Sequence, residues 1–171
     1  SNAMSKSFAV GLPYHYTHNH NFFFKHLKTV KFLYISTCLY SYELMGIQTM
    51  TWSDEKKAKV EIDIISNVLS KLKDECIYKT YPMKYEESNY VIEKCVNRFK
   101  NLIYSDSNVD LNYFKNHGEI LITSRGTSTL GWCLSTQKPV IFINYNNHFQ
   151  VTKEFTKDAK QSIFYFEYNS K

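Results

Sequence analysis

The segment Gly118–Tyr145, GEILITSRGTSTLGWCLSTQKPVIFINY, decides the fold of this chain because it contains a strand, a turn, a helix and a second strand in close succession. Glu119–Thr123 has the short continuous apolar run that is typical of a strand buried on both faces of a parallel sheet. Pro139 then starts the next strand, VIFIN. This order of elements predicts one unit of an open α/β sheet.

The turn between these two strands is rich in hydroxyl groups. Ser124–Thr129 contains four hydroxyl side chains together with Arg125 and Gly126. Free backbone N–H groups and the positive end of the helix dipole favour an anion at the start of the helix that follows. A plainer alternative is that the hydroxyls only cap this helix, since Ser and Thr are preferred N-cap residues. The position at the carboxyl end of a buried strand, where open α/β sheets bind ligands, favours a phosphate-binding site.

Further strands and helices alternate on the amino-terminal side of this segment. Strands are predicted at Val30–Ser36, Cys76–Thr80 and Leu102–Tyr104, and helices at Ser53–Leu72, Tyr85–Phe99 and Asp110–Asn116. Ile163–Tyr168 is either one more strand or a return segment toward another domain. Alternation of this kind predicts parallel strands with right-handed crossovers, so the expected fold is a Rossmann-like three-layer α/β domain with a mostly parallel sheet.

The predicted helix Ser53–Leu72 has a clear apolar stripe. The residues of this stripe are Val60, Ile64, Ile65, Val68 and Leu72. The Asp and Glu residues of the chain lie on predicted helix faces or near helix caps, where we expect solvated charges.

The domain organisation follows from where this alternation begins. Residues 1–3 resemble a tag remnant, residues 4–29 form an irregular arm or linker, and residues 30–171 form the Rossmann-like domain. The arm contains His15, His18, His20 and His26, but no nearby carboxylate or Cys completes a coordination sphere, so we expect no metal. The triplet Phe22–Phe24 needs burial, for which a missing N-terminal domain or a second copy of the chain would serve.

Composition excludes several classes of protein. The net charge is +5 with the Lys residues scattered, which favours anionic ligands or a membrane surface only weakly. Zinc-finger spacing, an RNP-type motif and an Arg-rich arm are absent, so we expect no nucleic-acid partner.

The four Cys residues are widely spaced in apolar segments, which is typical of buried reduced thiols. No long apolar span or signal peptide is present, and we predict a cytoplasmic protein.

Roughly residues 75–145 resemble the C-terminal nucleotide-binding domain of GT-B glycosyltransferases. The residues that carry the resemblance are KTYP at Lys79–Pro82 and ILITSRGTSTLGWCLSTQKPVIFI at 120–143. They are most similar to bacterial surface-polysaccharide transferases, which include the CDP-glycerol glycerophosphotransferase group and capsule transferases that use CMP-activated acidic sugars. The resemblance implies that this domain is one half of a GT-B fold.

The family's motifs can be placed residue by residue. Ser128 and Thr129 match the Ser-Thr of its turn, Pro82 matches the Pro of a His-Pro strand end, and Lys138-Pro139 matches a Gly-Lys-Pro-Val strand. Three positions depart from the pattern: Tyr81 replaces His, Trp132 replaces a helix Glu that often holds the ribose, and Gln137 replaces Gly. The residues expected to bind the nucleotide and its phosphates are Lys79, Tyr81, Ser124, Arg125, Gly126, Thr127, Ser128, Thr129 and Trp132.

The function that the resemblance implies is transfer of a sugar or polyol phosphate from a nucleotide-activated donor, such as a CDP-activated one, during surface-polysaccharide synthesis. The donor is the substrate and no other cofactor is expected. A polysaccharide or lipid-linked acceptor would be the partner, with peripheral association at the inner face of the membrane.

The catalytic base is left open by the sequence. His148 follows the VIFIN strand at the correct end of the sheet and is the local candidate, whereas His117 precedes a strand on the opposite side. In two-domain transferases the base commonly comes from the N-terminal domain. Two alternatives also stay open: a non-catalytic nucleotide- or glycan-binding module that works with a partner, and an enzyme like the UDP-sugar 2-epimerases.

Overall fold

Five ranges of the chain are described by the computed structural model, namely residues 28–36, 54–81, 86–105, 109–145 and 153–169. Their strands are β1 (Val30–Ile35), β2 (Cys76–Lys79), β3 (Leu102–Ser105), β4 (Gly118–Thr123), β5 (Val140–Tyr145) and β6 (Phe164–Tyr168). Their α-helices are α1 (Asp54–Asn67), α2 (Glu86–Val96), α3 (Leu111–Phe114), α4 (Ser128–Leu134) and α5 (Lys153–Ser162). Short 3₁₀ helices follow α1 at Leu69–Lys71 and α3 at Lys115–His117.

The described strands form one sheet in the order β3-β2-β1-β4-β5-β6, and every pair of neighbours is parallel. The chain therefore builds outward from β1 to β3 and then crosses back to place β4 on the other side of β1. The predicted Rossmann-like α/β fold is confirmed. The segment near residue 163 is a strand, since β6 pairs with β5 from Ile141↔Phe164 to Tyr145↔Tyr168.

Two apolar layers cover the sheet, one on each face. On the first face, α1 and α2 bury a cluster that includes Ile64, Ile65 and Ile92 against Tyr34 and Tyr78. On the second face the cluster contains residues of α3 and α4; its members include Leu33, Ile77, Phe114, Leu121, Leu130 and Phe142. Burial of this much apolar side-chain surface is the main stabilising contribution to a domain of this kind.

Helix α1 ends at Asn67, five residues before the predicted end at Leu72. The chain tightens into the 3₁₀ helix, where the Leu72 N–H donates to the Leu69 carbonyl. The Asn101 side-chain amide, located just before β3, donates to the Leu69 and Leu72 carbonyls at 3.1 Å each. A distant side chain thus satisfies the carbonyls at this helix end, which local sequence periodicity does not reveal.

Two backbone positions depend on unusual geometry. Gly118 begins β4 so close to β1 that a Cβ atom there would overlap the Cβ of Leu33. Gln137 lies between α4 and β5 with φ of 58°, in the left-handed region that favours glycine.

The described cysteines behave as the sequence predicts. Cys76, Cys95 and Cys133 are buried and free, and burial raises the pKa of Cys76 and of Cys133 to about 12. Cys38 lies outside the described residues. Within the described ranges, no helix has the length and apolar character needed to cross a bilayer.

Candidate functional site

The strand order reverses between β1 and β4, and this point determines where a ligand would bind. In open α/β sheets, ligands occupy the crevice outside the carboxyl ends of the strands at such a switch point. The β1–β4 register ends at Ile35↔Thr123, so the next residues, Ser36 and Ser124, are neighbours at this edge. Adjacent strands are about 4.8 Å apart, so these two buried serines are neighbours at this edge of the sheet.

The predicted Ser124–Thr129 segment begins at this switch point. Ser124 is buried, whereas Gly126, Thr127 and Ser128 are exposed. The Arg125 N–H donates to the Thr123 hydroxyl at 3.2 Å, which holds the start of the loop to the end of β4. The segment therefore places an exposed loop directly beyond a buried serine.

The helix-capping alternative can be examined at Thr127, which is the N-cap residue of α4. Within this described loop and helix, the Thr127 side chain makes no capping hydrogen bond, although its carbonyl accepts from the Leu130 and Gly131 N–H groups at 3.0 and 3.3 Å. The Thr127 hydroxyl therefore does not cap α4. Thr127 and Ser128 are both exposed residues of this loop.

A buried carboxylate lies beneath the switch point on the first face of the sheet. Glu61 of α1 is 1% exposed, and its two oxygens accept from two tyrosines, Tyr34 at 3.0 Å and Tyr78 at 2.6 Å. The Tyr34 hydroxyl also contacts the Ser124 hydroxyl at 3.1 Å, and the Tyr78 hydroxyl bonds that of Ser36. We call these five residues the Glu61 cluster. It links a charge in the core to both serines at the edge.

The two tyrosines of the Glu61 cluster are held in fixed positions by their neighbours. Tyr34 and Tyr78 face each other in register and stack with ring centroids 5.2 Å apart, and Tyr104 of β3 continues the row at 6.2 Å. Burial, followed by the charge of Glu61, raises the pKa of both Tyr34 and Tyr78 well above the ordinary value, while nearby Arg125 acts in the opposite direction on Tyr34. Both hydroxyls therefore keep their hydrogen and donate it.

Lys79 is at the correct end of β2 but is not brought to the Ser124–Thr129 loop. It is 1% exposed on the second face, where its ammonium donates to the Thr80 carbonyl at 2.7 Å and lies 5.5 Å from the centre of the Phe114 ring. In this conformation the ammonium is inaccessible to a ligand. Its placement is that of a buried charge satisfied close to its own backbone.

The aromatic candidates are separated from each other. Tyr81 follows β2 at the carboxyl edge and is 40% exposed, so it is accessible to a ligand there. Trp132 lies further along α4, packed against the second-face cluster, with the Lys115 ammonium 5.3 Å from its ring centre. Because Lys115 precedes β4, Trp132 is directed toward the amino edge, away from the crevice.

Neither the two histidine candidates nor Lys138, which was matched to the Gly-Lys-Pro-Val motif, is shown at the Ser124–Thr129 loop. His148 and Pro82 lie outside the described residues. His117 is buried before β4 and packs on Phe114 at 5.1 Å between ring centroids. The Lys138 ammonium donates to three carbonyls, those of Lys115, Asn116 and Gly118, at 2.6 to 3.2 Å, so it stabilises the turn that leads into β4.

The Glu61 cluster was missed by sequence reasoning, which expected solvated acids on helix faces. That expectation is wrong for Glu61. A signal was available, because Glu61 stands three and four residues before Ile64 and Ile65 and so continues the apolar stripe of α1. Lys57, one turn earlier on the same helix, is also buried. A charge inside an apolar stripe indicates a buried, partnered group.

Neither metal-binding groups nor similarity to known proteins assigns a function to this site. Among the residues that the structure describes, no group of three or more His, Cys, Asp or Glu side chains is positioned to hold a metal ion. No family model, curated protein or solved structure matches the chain.

Proposed function

We propose that this domain binds a nucleotide-activated donor in the crevice between β1 and β4, with the donor phosphates at the Ser124–Thr129 loop. One observation carries the proposal: the strand order reverses beside β4, so this hydroxyl-rich loop begins at the switch point. Open α/β sheets bind ligands at that place for a geometric reason, since the loops on either side diverge and leave a crevice.

The chemistry of the loop supports an anionic group on the ligand. Gly126, Thr127 and Ser128 are exposed, and Arg125 is near enough to influence the pKa of Tyr34 electrostatically. A guanidinium is always charged and matches phosphate oxygens with two parallel hydrogen bonds. We assign the positive charge of the site to Arg125 rather than to Lys79, because the Lys79 ammonium is buried.

The activity we propose is transfer of a sugar or polyol phosphate to a polysaccharide or lipid-linked acceptor. In such a reaction negative charge develops on the leaving nucleotide phosphate, and fixed donors such as the backbone N–H groups of this loop and Arg125 would stabilise it. Donors of this kind are worth about 3 kcal/mol each. Besides the sequence motifs, the left-handed backbone of Gln137 supports the resemblance, since the family's Gly occupies that position.

A non-catalytic nucleotide- or glycan-binding module is the second candidate, and one placement favours it. Trp132 stands where the family has a ribose-binding Glu, yet it packs with Lys115 toward the amino edge. The family's ribose carboxylate therefore has no counterpart at this position of α4. A module of this kind would bind nucleotide without turnover.

The test of binding is thermal unfolding of the full chain with CMP, CDP, UDP, GDP or AMP. A ligand present at 100 times its dissociation constant stabilises the folded state by about 2.7 kcal/mol, so we expect Tm to rise with a cytidine nucleotide. The double variant Ser128→Ala, Thr129→Ala and the variant Arg125→Gln should each lose this increase. Ser162→Ala removes an exposed hydroxyl at the end of α5 and serves as the matched control.

The outcomes separate the two candidates. No increase in Tm with any of these nucleotides contradicts both. Binding together with release of free nucleotide from an activated donor supports the transferase, whereas binding without release, even with acceptor added, supports the module.

A further inference from the structure

Two exposed phenylalanines are neighbours on β6, the last strand of the described sheet. Phe164 is 60% exposed and Phe166 is 54% exposed. Alternate residues of a strand point to the same face, so both share the first face with Tyr168, whereas Tyr165 between them packs on Phe142 of the second-face cluster. The sheet therefore presents two adjacent phenyl rings at one corner of its first face.

The apolar cover of the first face ends beside this pair. The first-face cluster reaches Tyr145 and Tyr168, whose hydroxyls bond to Asp63 of α1, but it does not include Phe164 or Phe166. A single exposed apolar side chain is ordinary in a folded protein, whereas a contiguous apolar patch indicates a surface that contacts another segment or molecule.

The arm before β1 contains a second apolar group for which we expect burial, the triplet Phe22–Phe24. The triplet lies outside the described residues, but the place where the arm joins the fold is known. The Lys28 ammonium bonds to the Glu75 carboxylate at 2.8 Å, and Val30 begins β1. Contact between the triplet and the exposed pair on β6 would remove apolar surface of both from water.

The distance from this joining point to the exposed pair follows from the strand registers. Tyr34 is in register with Ile122, Ile122 with Ile141, and Ile141 with Phe164. Phe164 is therefore three strand spacings, about 14 Å, from Tyr34, and Val30 lies four residues, about 13 Å, further along β1. The straight distance from Val30 to Phe164 is thus about 20 Å.

The reach of the arm matches this distance. The triplet stands six to eight residues before Val30, and an extended chain of that length spans about 20–29 Å. A segment tethered this closely has an effective concentration on the order of millimolar. A second copy of the chain in a micromolar solution does not match that concentration, so the arm of the same chain is the favoured occupant.

We propose that the arm docks on Phe164 and Phe166 of its own chain, with the triplet Phe22–Phe24 as its contact. The inference is independent of the proposed function, because the exposed pair lies on β6 and not at the Ser124–Thr129 loop. Docking buries apolar surface from both sides. It also covers one face of an end strand whose sequence, FYFEY, otherwise favours pairing with other chains.

The experiment is cross-linking of the full chain with a short bismaleimide. Phe23→Cys is combined with Phe166→Cys in a chain that carries Cys38→Ser, because the other three native cysteines are buried. The matched control combines Phe23→Cys with Tyr90→Cys, since Tyr90 on α2 is 57% exposed, almost the same as Phe166. We expect intrachain cross-linking to be about 10-fold faster, or more, at position 166 than at position 90, because docking raises the local concentration there.

A second measurement needs no added cysteine. Phe166→Ser should lower Tm by about 2–4 °C, the size expected for losing part of a buried phenyl ring. In a chain whose triplet is replaced by three serines, Phe166→Ser should leave Tm unchanged, because the contact is already lost. Tyr90→Ser should change Tm equally in both backgrounds.

Equal cross-linking rates at positions 166 and 90 overturn the proposal. An equal loss of Tm on Phe166→Ser with and without the triplet overturns it as well. Cross-links that join an isotope-labelled chain to an unlabelled one, detected by mass spectrometry, would assign the triplet to a second copy and contradict docking within one chain. Phe166 and Tyr90 are both exposed, so their substitution leaves the apolar core intact.

Discussion

Glu61 and Lys79 are buried charged side chains on opposite faces of the sheet, and their charges are satisfied in different ways. Glu61 on the first face is bound by two tyrosines, whose oxygens in turn meet the serines of the switch point. Lys79 on the second face donates to the carbonyl of the next residue, Thr80, and packs on Phe114. Both are 1% exposed. Equal burial therefore accompanies two different hydrogen-bond arrangements, and only that of Glu61 leads to the switch point between β1 and β4.

The largest expected effect is that of Glu61→Leu. This change keeps a similar volume but leaves the buried Tyr34 and Tyr78 hydroxyls without their acceptor, and an unsatisfied buried donor costs about 1–3 kcal/mol. We expect the free energy of unfolding to fall by roughly 2–5 kcal/mol in urea titrations. Glu55→Leu changes an exposed acid of the same helix that forms an ion pair with Lys59, and should cost about 0–1 kcal/mol. If the two variants were equally stable, the buried Glu61 would contribute no more than an exposed acid, and its contrast with Lys79 on the other face would disappear.

A smaller effect is expected for Lys79→Met on the second face. A methionine keeps the packing on Phe114 and removes the cost of burying a charge, while the Thr80 carbonyl loses one donor, so the two effects oppose each other. The free energy of unfolding should change by about 1 kcal/mol or less, and the nucleotide affinity should stay the same because the Lys79 ammonium is buried. Urea unfolding and calorimetric titration measure both quantities. Loss of nucleotide binding with the fold intact would return Lys79 to the site.

The smallest effect, and one of opposite sign, is expected for Gln137→Gly. The left-handed conformation at φ 58° is costly for a residue with a Cβ, and glycine removes that cost while adding freedom to the unfolded chain. We expect a net gain of about 0.5–1 kcal/mol in the free energy of unfolding. Because Gln137 follows α4 on the second face, nucleotide affinity should not change. A decrease in stability would show that the Gln137 side chain makes a stabilising contact.

The fold was largely predictable because its signals are local. Apolar runs such as Ile120–Ile122 and the stripe of α1 specify strand and helix by their periodicity, and alternation of the two implies parallel pairing. Helix ends were less predictable, since the end of α1 depends on Asn101, a residue that is distant in sequence. The strand order, which creates the switch point, is likewise a property of the assembled sheet.

The candidate site was predictable only in part, for a related reason. The Ser124–Thr129 loop has its own signal in four closely spaced hydroxyls. Ser36 follows β1, Glu61 lies on α1 and Tyr78 lies on β2, and these three residues meet only after folding. Lys79 and Trp132 were named from motif positions. A motif fixes the place of a residue in the chain but not the face toward which its side chain turns.

The β1–β4 pair also has a consequence for the order in which this protein is made. Its residues are far apart in the chain, as the Lys31–Glu119 ion pair across 88 residues illustrates. Closing so long a loop is entropically costly, and sheets built from such distant pairs fold slowly. A growing polypeptide that has emerged only as far as β3 holds β1 and β2 but has no switch point. The switch point therefore arises at the insertion of β4 beside β1, so binding at the proposed site would report on a late event in folding.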